Sequence, residues 1–356
     1  MDPRIEKIAK ILVDYSVKVK KGETVQVSGS ESAKPLLLEV YKRVLEKGAY
    51  PILDVGLEGS SYLYYKIASE EQLKKFPEVA MFKTRKADAY ISVAGDSNTR
   101  ELANISPEKI AIRRKVTKPI SDLIHKKDRW VIFDFPTNAL AMEADMSLDE
   151  FEDFVYGASI VDYKELERKQ EKLKEIIDNG NKVRIIGEDT DIEMSIKGRL
   201  GINHPGIFNV PDGEIFTSPV DDSANGHISY SFPVIYSGKE VDGVKLKFEN
   251  GKVVKASAEK NESLLKAMIK MDPGASRLGE LGIGTNYKIN KFIKNILFDE
   301  KIGGTIHLAL GNSFPEANGK NKSALHWDMI KDLRKGGEIL VDDKVIQRNG
   351  KFTFKF

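Results

Sequence analysis

Imidazole and carboxylate side chains gather in one short stretch of this sequence. The chain has five histidines in 356 residues, and two of them, His307 and His326, stand within HLALGNSFPEANGKNKSALHWD. Asp328 follows His326 by two residues, so both side chains point to the same side if ALHWD is extended, with Trp327 facing into packing. His307 ends the apolar run GTIH, where a strand can deliver a side chain to a site. Imidazole and carboxylate ligands predict a hydrolytic metal centre; the alternative is two ordinary core or turn histidines.

Two glutamates stand among small and apolar neighbours, which is unusual for a charged side chain. Glu214 lies in NVPDGEIFTSP, where a Pro-Asp-Gly turn leads into a short strand, and Glu280 lies in RLGELGIGTN. A carboxylate buried in such surroundings is costly unless a cation accompanies it. That cation is either a metal ion or the nearby Arg277, and a solvated turn position is the remaining alternative. Both glutamates are therefore candidate ligands.

Other kinds of catalytic or binding site have little support. The stretch GELGIGTN is neither the dinucleotide fingerprint nor a phosphate-binding loop, since no GK[ST] follows it. No G-x-S-x-G elbow is present for a serine nucleophile. The chain has no cysteine, which excludes disulfides, zinc knuckles and thiol nucleophiles. A metal site formed by histidine and carboxylate residues remains the strongest hypothesis.

The first half of the chain supplies a scaffold of alternating helices and strands. Helical periodicity in RIEKIAKILVDYSVKV and KPLLLEVYKRVLEKGA alternates with the strand patterns ETVQVSGS, YPILDVG, DAYISVAG and RWVIFDFP. This rhythm predicts an α/β domain with a mostly parallel sheet covered by helices. Further helical patterns cover residues 148–157 and 161–179. We expect this N-terminal domain to span residues 1–185.

The second half changes to short strands separated by Gly, Asn and Asp turns. Asn250–Gly251 between the alternating runs GVKLKFE and KVVKASAE predicts a β-hairpin. The helices expected here lie near 259–271 and 289–298. We therefore expect an α+β, β-rich C-terminal domain over residues 186–356, and this domain contains all the candidate ligands.

Charge and hydropathy limit the partners of the protein. Its 56 basic and 54 acidic side chains are well mixed and give a net charge of +2, so no basic face for nucleic acid is expected. The apolar runs are too short to span a membrane, and the N-terminal segment is amphipathic, unlike a secretory signal. We expect a cytoplasmic protein that binds neither nucleic acid nor membrane.

The motifs NVPDGEIFTSP, RLGELGIGTN, GGTIHLALGNSFPEANGKNKSALHWDMI and GGEILVDD, in that order, resemble those of the aminopeptidase T and aminopeptidase S metallopeptidases. The resemblance extends over nearly the whole chain. It implies an N-terminal α/β domain, a C-terminal catalytic domain, a homodimer, and two divalent metal ions per subunit. Carried over by motif, it implies the metal ligands Glu214, Glu280, His307, His326 and Asp328.

One position departs from the family pattern. A tyrosine commonly stands seven residues after the first histidine as a ligand or transition-state donor, whereas this chain has Phe314. A phenyl ring neither ligates nor donates, so we expect one ion to have fewer ligands or weaker binding. Tyr287 and Glu316 are the residues that could compensate.

Together these observations predict a metal-dependent aminopeptidase that hydrolyses the first peptide bond of short peptides. Zinc, cobalt or manganese would suit the nitrogen and oxygen ligands. Asp328 or Glu280 would bridge the ions, and we expect Glu280 to act also as the catalytic proton acceptor. The alternatives are a non-catalytic or nucleotide-binding protein that uses its α/β domain as a binding module, and a family member inactivated by Phe314.

Overall fold

The computed structural model describes residues 2–236 and 239–356. Its α-helices are α1 Pro3–Lys10, α2 Lys34–Glu46, α3 Ser60–Ile67, α4 Glu70–Lys74, α5 Glu78–Lys86, α6 Pro107–Lys127, α7 Asn138–Glu143, α8 Leu148–Ser159, α9 Tyr163–Asn179, α10 Glu262–Ile269 and α11 Ile296–Asp299. A π-helical segment, Ile11–Ser16, continues α1, and 3-10 turns occupy Glu31–Ala33 and Pro315–Ala317.

The strands are β1 Thr24–Ser30, β2 Tyr50–Gly56, β3 Ala89–Ala94, β4 Trp130–Asp134, β5 Lys182–Gly187, β6 Thr190–Ser195, β7 Asn209–Val210, β8 Glu214–Thr217, β9 Asn225–Ser229, β10 Val234–Tyr236, β11 Lys239–Val241, β12 Lys245–Glu249, β13 Lys252–Ser257, β14 Leu278–Gly284, β15 Thr305–Gly311, β16 His326–Asp332, β17 Glu338–Val341, β18 Lys344–Arg348 and β19 Lys351–Phe352. The chain divides into two compact units. One contains the residues up to Ile160 together with Gly206–Pro211, and the other contains Val161–Pro205 and Asp212–Phe356.

The first unit is built on a parallel five-stranded sheet. Its strand order is β2-β1-β3-β4-β7, with parallel pairing at each step. β3 lies in the middle of this sheet, and its apolar sequence AYISVA is almost entirely buried, as expected for a strand covered on both faces. The α/β N-terminal architecture predicted from the sequence is confirmed.

The second unit is rich in antiparallel strands. An eight-stranded sheet has the order β13-β12-β9-β6-β5-β17-β18-β19, and a four-stranded sheet has the order β16-β15-β14-β8. The apolar side chains of the two sheets contribute to one core, which includes Ile192, Leu281 and Leu308. Asn250 and Gly251 form the predicted hairpin turn between β12 and β13, with φ angles of 50° and 76°. The predicted β-rich C-terminal architecture is thus confirmed.

The division of the chain into these two units differs from the boundary expected near residue 185. That boundary lies inside the second unit, because α9 belongs there. On α9, Gln170 is fully buried, and its side-chain amide donates to the Glu214 carbonyl oxygen at 3.1 Å and to the Thr285 hydroxyl at 2.8 Å. Gly206–Pro211 belongs to the first unit and adds β7 to the parallel sheet.

Among the described residues, none of the helices combines the length and the apolar character needed to cross a bilayer.

Candidate metal centre

The four-stranded antiparallel sheet carries every candidate ligand on neighbouring strands. Glu214 begins β8, Glu280 lies on β14, His307 on β15, and His326 and Asp328 on β16. The register pairs Glu214 with Gly284, His307 with Gly282, and Asp328 with Ala309. The predicted extended conformation of ALHWD holds for residues 326–328, because β16 begins at His326. His307 lies inside its strand instead of ending it, because β15 continues to Gly311.

Glycine in β14 makes room for the imidazole of the neighbouring strand. A Cβ atom at Gly282 would lie 2.0 Å from His307 Cε1 and 2.1 Å from its Nε2, which no packed structure tolerates. The ring therefore lies directly over the backbone of β14. This close approach explains one of the glycines of GELGIG without invoking a phosphate-binding loop.

The other four predicted ligands gather around Glu280, two directly and two through the histidines. His307 Nε2 lies 3.3 Å from Glu280 Oε1, and His326 Nε2 lies 3.2 Å from Glu280 Oε2. His307 Nε2 also lies 3.4 Å from Glu214 Oε2, and His326 Nε2 lies 3.5 Å from Asp328 Oδ2. The structure thus brings all five residues together, with one Glu280 oxygen facing each imidazole.

Backbone carbonyl groups fix the orientation of both imidazole rings. His307 Nδ1 lies 3.2 Å from the Glu300 carbonyl oxygen, and His326 Nδ1 lies 3.0 Å from the Asn312 carbonyl oxygen. A carbonyl oxygen only accepts, so each Nδ1 carries the proton and donates it. In the metal-free protein each Nε2 is protonated and faces the carboxylates; once it loses that proton, its lone pair is free for a cation, which is the usual arrangement of a metal-ligating histidine.

Unpartnered buried oxygen atoms also fit a cation at this place. Glu214 Oε2 and Asp328 Oδ1 are buried and have no hydrogen-bond partner among the described residues. Arg277, the alternative partner expected for Glu280, instead donates a hydrogen bond to the Asp221 carbonyl oxygen. The donor set of two imidazoles and several carboxylates suits a divalent transition metal. The residues therefore fit the metal ions that the sequence predicts.

The cluster strongly shifts the pKa values of its members. Burial alone would lower the pKa of His307 and His326, but the neighbouring carboxylates outweigh it and raise each pKa to about 10. Burial raises the pKa of Glu214 to about 8 and that of Asp328 to about 6. Burial also opposes ionisation of Glu280, but hydrogen bonds from both histidines lower its pKa to about 2. In the absence of a cation the cluster therefore holds protons that metal binding would displace.

Two charged residues of the cluster escaped the sequence analysis. Lys301 is fully buried, and its Nζ lies 3.5 Å from Glu214 Oε1 and in contact with the Glu300 carboxylate. Glu300 and Lys301 follow α11 directly, in FDEKIGGTIH, and they resemble a solvated charge pair at a helix end. The available signal was their position between two mostly apolar segments, ILFD and TIHLALG.

The ligand atoms form two overlapping groups. Within the described residues, Glu280, His307 and Asp328 form one group, and Glu214, Glu300 and His307 form the other. In each group the potential ligand atoms all lie within 4.8 Å of one another. These distances are compatible with cations on either side of the Glu280–His307 contact.

Phe314 lies beside the cluster, whereas the two residues expected to compensate for it have other surroundings. Its ring centroid is 5.1 Å from that of His326 in an edge-to-face contact and 4.9 Å from that of Phe216. The Tyr287 hydroxyl donates to the Gly350 carbonyl oxygen at 2.8 Å, and Glu316 is exposed. Neither residue takes the place of the tyrosine that the family pattern has at position 314.

Comparisons with known proteins place the chain in a family. The family model described as thermophilic metalloprotease (M29) matches residues 1–352, and the chain belongs to this family. Aminopeptidase 2 from Geobacillus stearothermophilus is 24% identical over 99% of this chain and 98% of its own length. Wild-type AmpT from Thermus thermophilus has a TM-score of 0.84 and 21% identity, covering 99% of each chain. The resemblance inferred from the motifs is thus confirmed.

The fold alone does not determine the reaction. The 2,5-dihydroxypyridine dioxygenase from Pseudomonas putida KT2440 has a TM-score of 0.65 with 14% identity, over 100% of this chain and 98% of its own. Membership of a metalloprotease family makes the protein a metallopeptidase that requires divalent metal.

Proposed function

We propose that the protein is an aminopeptidase that hydrolyses the N-terminal peptide bond of short peptides at a dinuclear metal centre. The observation that carries this proposal is the convergence of Glu214, Glu280, His307, His326 and Asp328 from four strands onto one cluster. The name of the relative Aminopeptidase 2, matched over nearly the full length of both chains, supports the choice of reaction.

Each residue has a role that follows from its position. One Glu280 oxygen faces each histidine, so Glu280 would contribute to both sides of the cluster. Glu214 and His307 would hold an ion on one side, and His326 and Asp328 would hold one on the other. When bound, zinc, cobalt or manganese would polarise the peptide carbonyl and lower the pKa of a bound water. Glu280 would be the residue that takes up a proton from the attacking water and passes it to the leaving amine.

The test is hydrolysis of aminoacyl p-nitroanilides, with N-acetylated versions of the same substrates as matched controls. We expect release only from substrates with a free amino group, loss of release with a chelator, and recovery when zinc, cobalt or manganese is added. Elemental analysis should find two ions per chain. Equal cleavage of acetylated substrates would contradict an aminopeptidase, and cleavage that survives complete metal removal would contradict the metal centre.

The His326→Ala variant tests the residue assignment. Removing one imidazole from the cluster should lower both the bound metal and the turnover, the latter by about 100-fold or more. The matched control is His227→Ala, because His227 is half exposed and lies on β9 beside Asp189. Unchanged metal content together with unchanged turnover in His326→Ala would defeat the assignment.

A homodimer in the cytoplasm belongs to the same proposal. In the first unit β2 is an edge strand, and Tyr50 and Leu57 at and beyond its ends are exposed by 67% and 66%. No residue of α3 is buried, and Ile67 at its end is exposed by 74%. A sheet edge beside large exposed apolar side chains is prone to association unless something covers it. We propose that a second copy of the chain does so.

A further inference from the structure

Lys301 places a permanent positive charge inside the metal-binding cluster. Its side chain is fully buried, and its Nζ lies 3.5 Å from Glu214 Oε1 and in contact with Glu300 Oε1. An ammonium group is tolerated at such depth only when carboxylates pair with it. The charge of Lys301 therefore partly neutralises the carboxylates of Glu214 and Glu300.

The two oxygens of the Glu214 carboxylate face different partners, the Lys301 ammonium group and the ligand cluster. Its Oε1 faces Lys301, whereas its Oε2 faces His307 Nε2 at 3.4 Å and has no hydrogen-bond partner among the described residues. Glu300 also has an oxygen on Lys301, and it forms one of the two potential ligand groups together with Glu214 and His307. A metal ion in this group would share both of its carboxylates with Lys301.

The other side of the cluster has a different charge environment. His326 Nε2 faces Glu280 at 3.2 Å and Asp328 at 3.5 Å. Among the described residues, the ion pairs of Lys301 are formed with Glu214 and Glu300 and not with these two carboxylates. One ion position thus has a lysine ammonium beside its ligands, and the other does not.

We propose that Lys301 makes the two metal positions unequal: an ion held by Glu214, Glu300 and His307 is weakly bound and exchangeable, whereas an ion held by Glu280, His326 and Asp328 is tightly bound. This inference rests on the dinuclear centre of the proposed function. Like charges separated by a few ångströms repel strongly even at the effective dielectric constant of a protein, so we expect the two dissociation constants to differ by at least about tenfold. Lys301 acts as a positioning and charge-setting residue and does not touch the substrate.

The experiment is a calorimetric titration of the chelator-treated full chain with Zn²⁺, checked by equilibrium dialysis. Wild-type protein should show two dissociation constants at least about tenfold apart. In Lys301→Met the weaker constant should tighten by about tenfold or more, while the tighter constant changes by less than about threefold. Lys331→Met is the matched control: Lys331 is also nine-tenths buried, but its Nζ donates to the Glu188 carbonyl oxygen, and both constants should stay unchanged.

Two further variants separate charge from packing. Lys301→Gln is neutral but can still donate hydrogen bonds to Glu214 and Glu300, so it should fold even if Lys301→Met does not. We expect the weaker site to bind Zn²⁺ more tightly in this variant. Lys301→Arg keeps the charge and should leave the weaker site weak. Equal constants in the wild type, or a weaker constant unchanged in Lys301→Gln, would overturn the inference and leave the dinuclear centre intact. Absence of any Zn²⁺ binding by wild-type protein would overturn both this inference and the proposed function.

Discussion

Glu280 shows how residue type and position combine at the smallest scale. Its two oxygens face two different histidines, and a glycine two residues later makes room for one of them. The sequence identified Glu280 because a carboxylate among glycines and apolar residues needs a compensating cation. The same argument applies to Glu300, but the adjacent Lys301 makes the two residues resemble a solvated ion pair in the sequence. A charged pair reveals its burial only when the fold is known.

The absence of a hydroxyl at Phe314 leads to a prediction about activity. Its ring lies edge-to-face with His326, so a hydroxyl in Phe314→Tyr would add an oxygen close to the cluster. We expect kcat/KM for aminoacyl p-nitroanilides to rise by about tenfold, because an added ligand or donor stabilises the transition state. Phe354→Tyr, near the C-terminus, is the control and should not change kcat/KM. An unchanged kcat/KM in Phe314→Tyr would show that position 314 serves packing alone.

At the scale of elements, the strand patterns were the most reliable guide. The expected strands in both halves are present, and His326 and Asp328 point to one cluster as the alternation of an extended segment requires. Trp327 between them is 3% exposed and packs against Tyr236 with ring centroids 5.2 Å apart, as predicted.

Helix lengths were harder to predict. The helix expected near 289–298 is only the short α11, because Lys294 adopts a left-handed φ of 61° and Asn295 caps the new helix by accepting from Leu297 N. A residue with left-handed backbone angles does not change the hydrophobic periodicity of a sequence, so the pattern does not predict it.

The close pairing of β14 with β15 is tested by the Gly282→Ala variant, which adds one methyl group. In Gly282→Ala the new Cβ would overlap the His307 ring, so we expect the imidazole to be displaced and the bound metal to fall at least about tenfold. The free energy of unfolding should also fall by about 1–3 kcal/mol, as for other overpacked cores. The matched control is Gly157→Ala in α8, where nothing lies within 4 Å of the added atom. Full metal occupancy in Gly282→Ala would contradict the described register.

At the scale of the whole molecule, the cluster links stability to pH. In metal-free protein the pKa of His307 and His326 is about 10, above the ordinary 6.5. Between these values the folded chain binds more protons than the unfolded chain, so stability falls as pH rises. The contribution of the two imidazolium groups is complete below about 6.5 and is lost as pH passes through about 10.

The measurement is urea unfolding of chelator-treated protein at pH 6.5 and pH 9. We expect a lower free energy of unfolding at pH 9, and a smaller difference between the two pH values in His326→Ala, because that variant has lost one of the two groups. An identical pH dependence in wild type and variant would contradict the coupling of His326 to its carboxylates.

The proposed association of two chains is also tested at the scale of the whole molecule. Ile67→Glu places a charge at the most exposed large apolar side chain of α3, so it should weaken the proposed dimer and shift the mass measured by light scattering toward a monomer. The control is Met142→Glu, a side chain exposed by 75% on α7 in the same unit. A monomeric wild type would exclude the dimer. An unchanged dimer in Ile67→Glu, together with loss of the dimer in Met142→Glu, would place the interface elsewhere.

The spacing of the ligands along the chain has a consequence for biosynthesis. Glu214 and Asp328 are separated by more than a hundred positions, and the strands that carry them lie at opposite edges of the four-stranded sheet. While the nascent chain leaves the ribosome, no early fragment holds the complete set of ligands. Contacts between residues far apart in the sequence form slowly during folding. We therefore expect divalent ions to bind after the four strands have assembled.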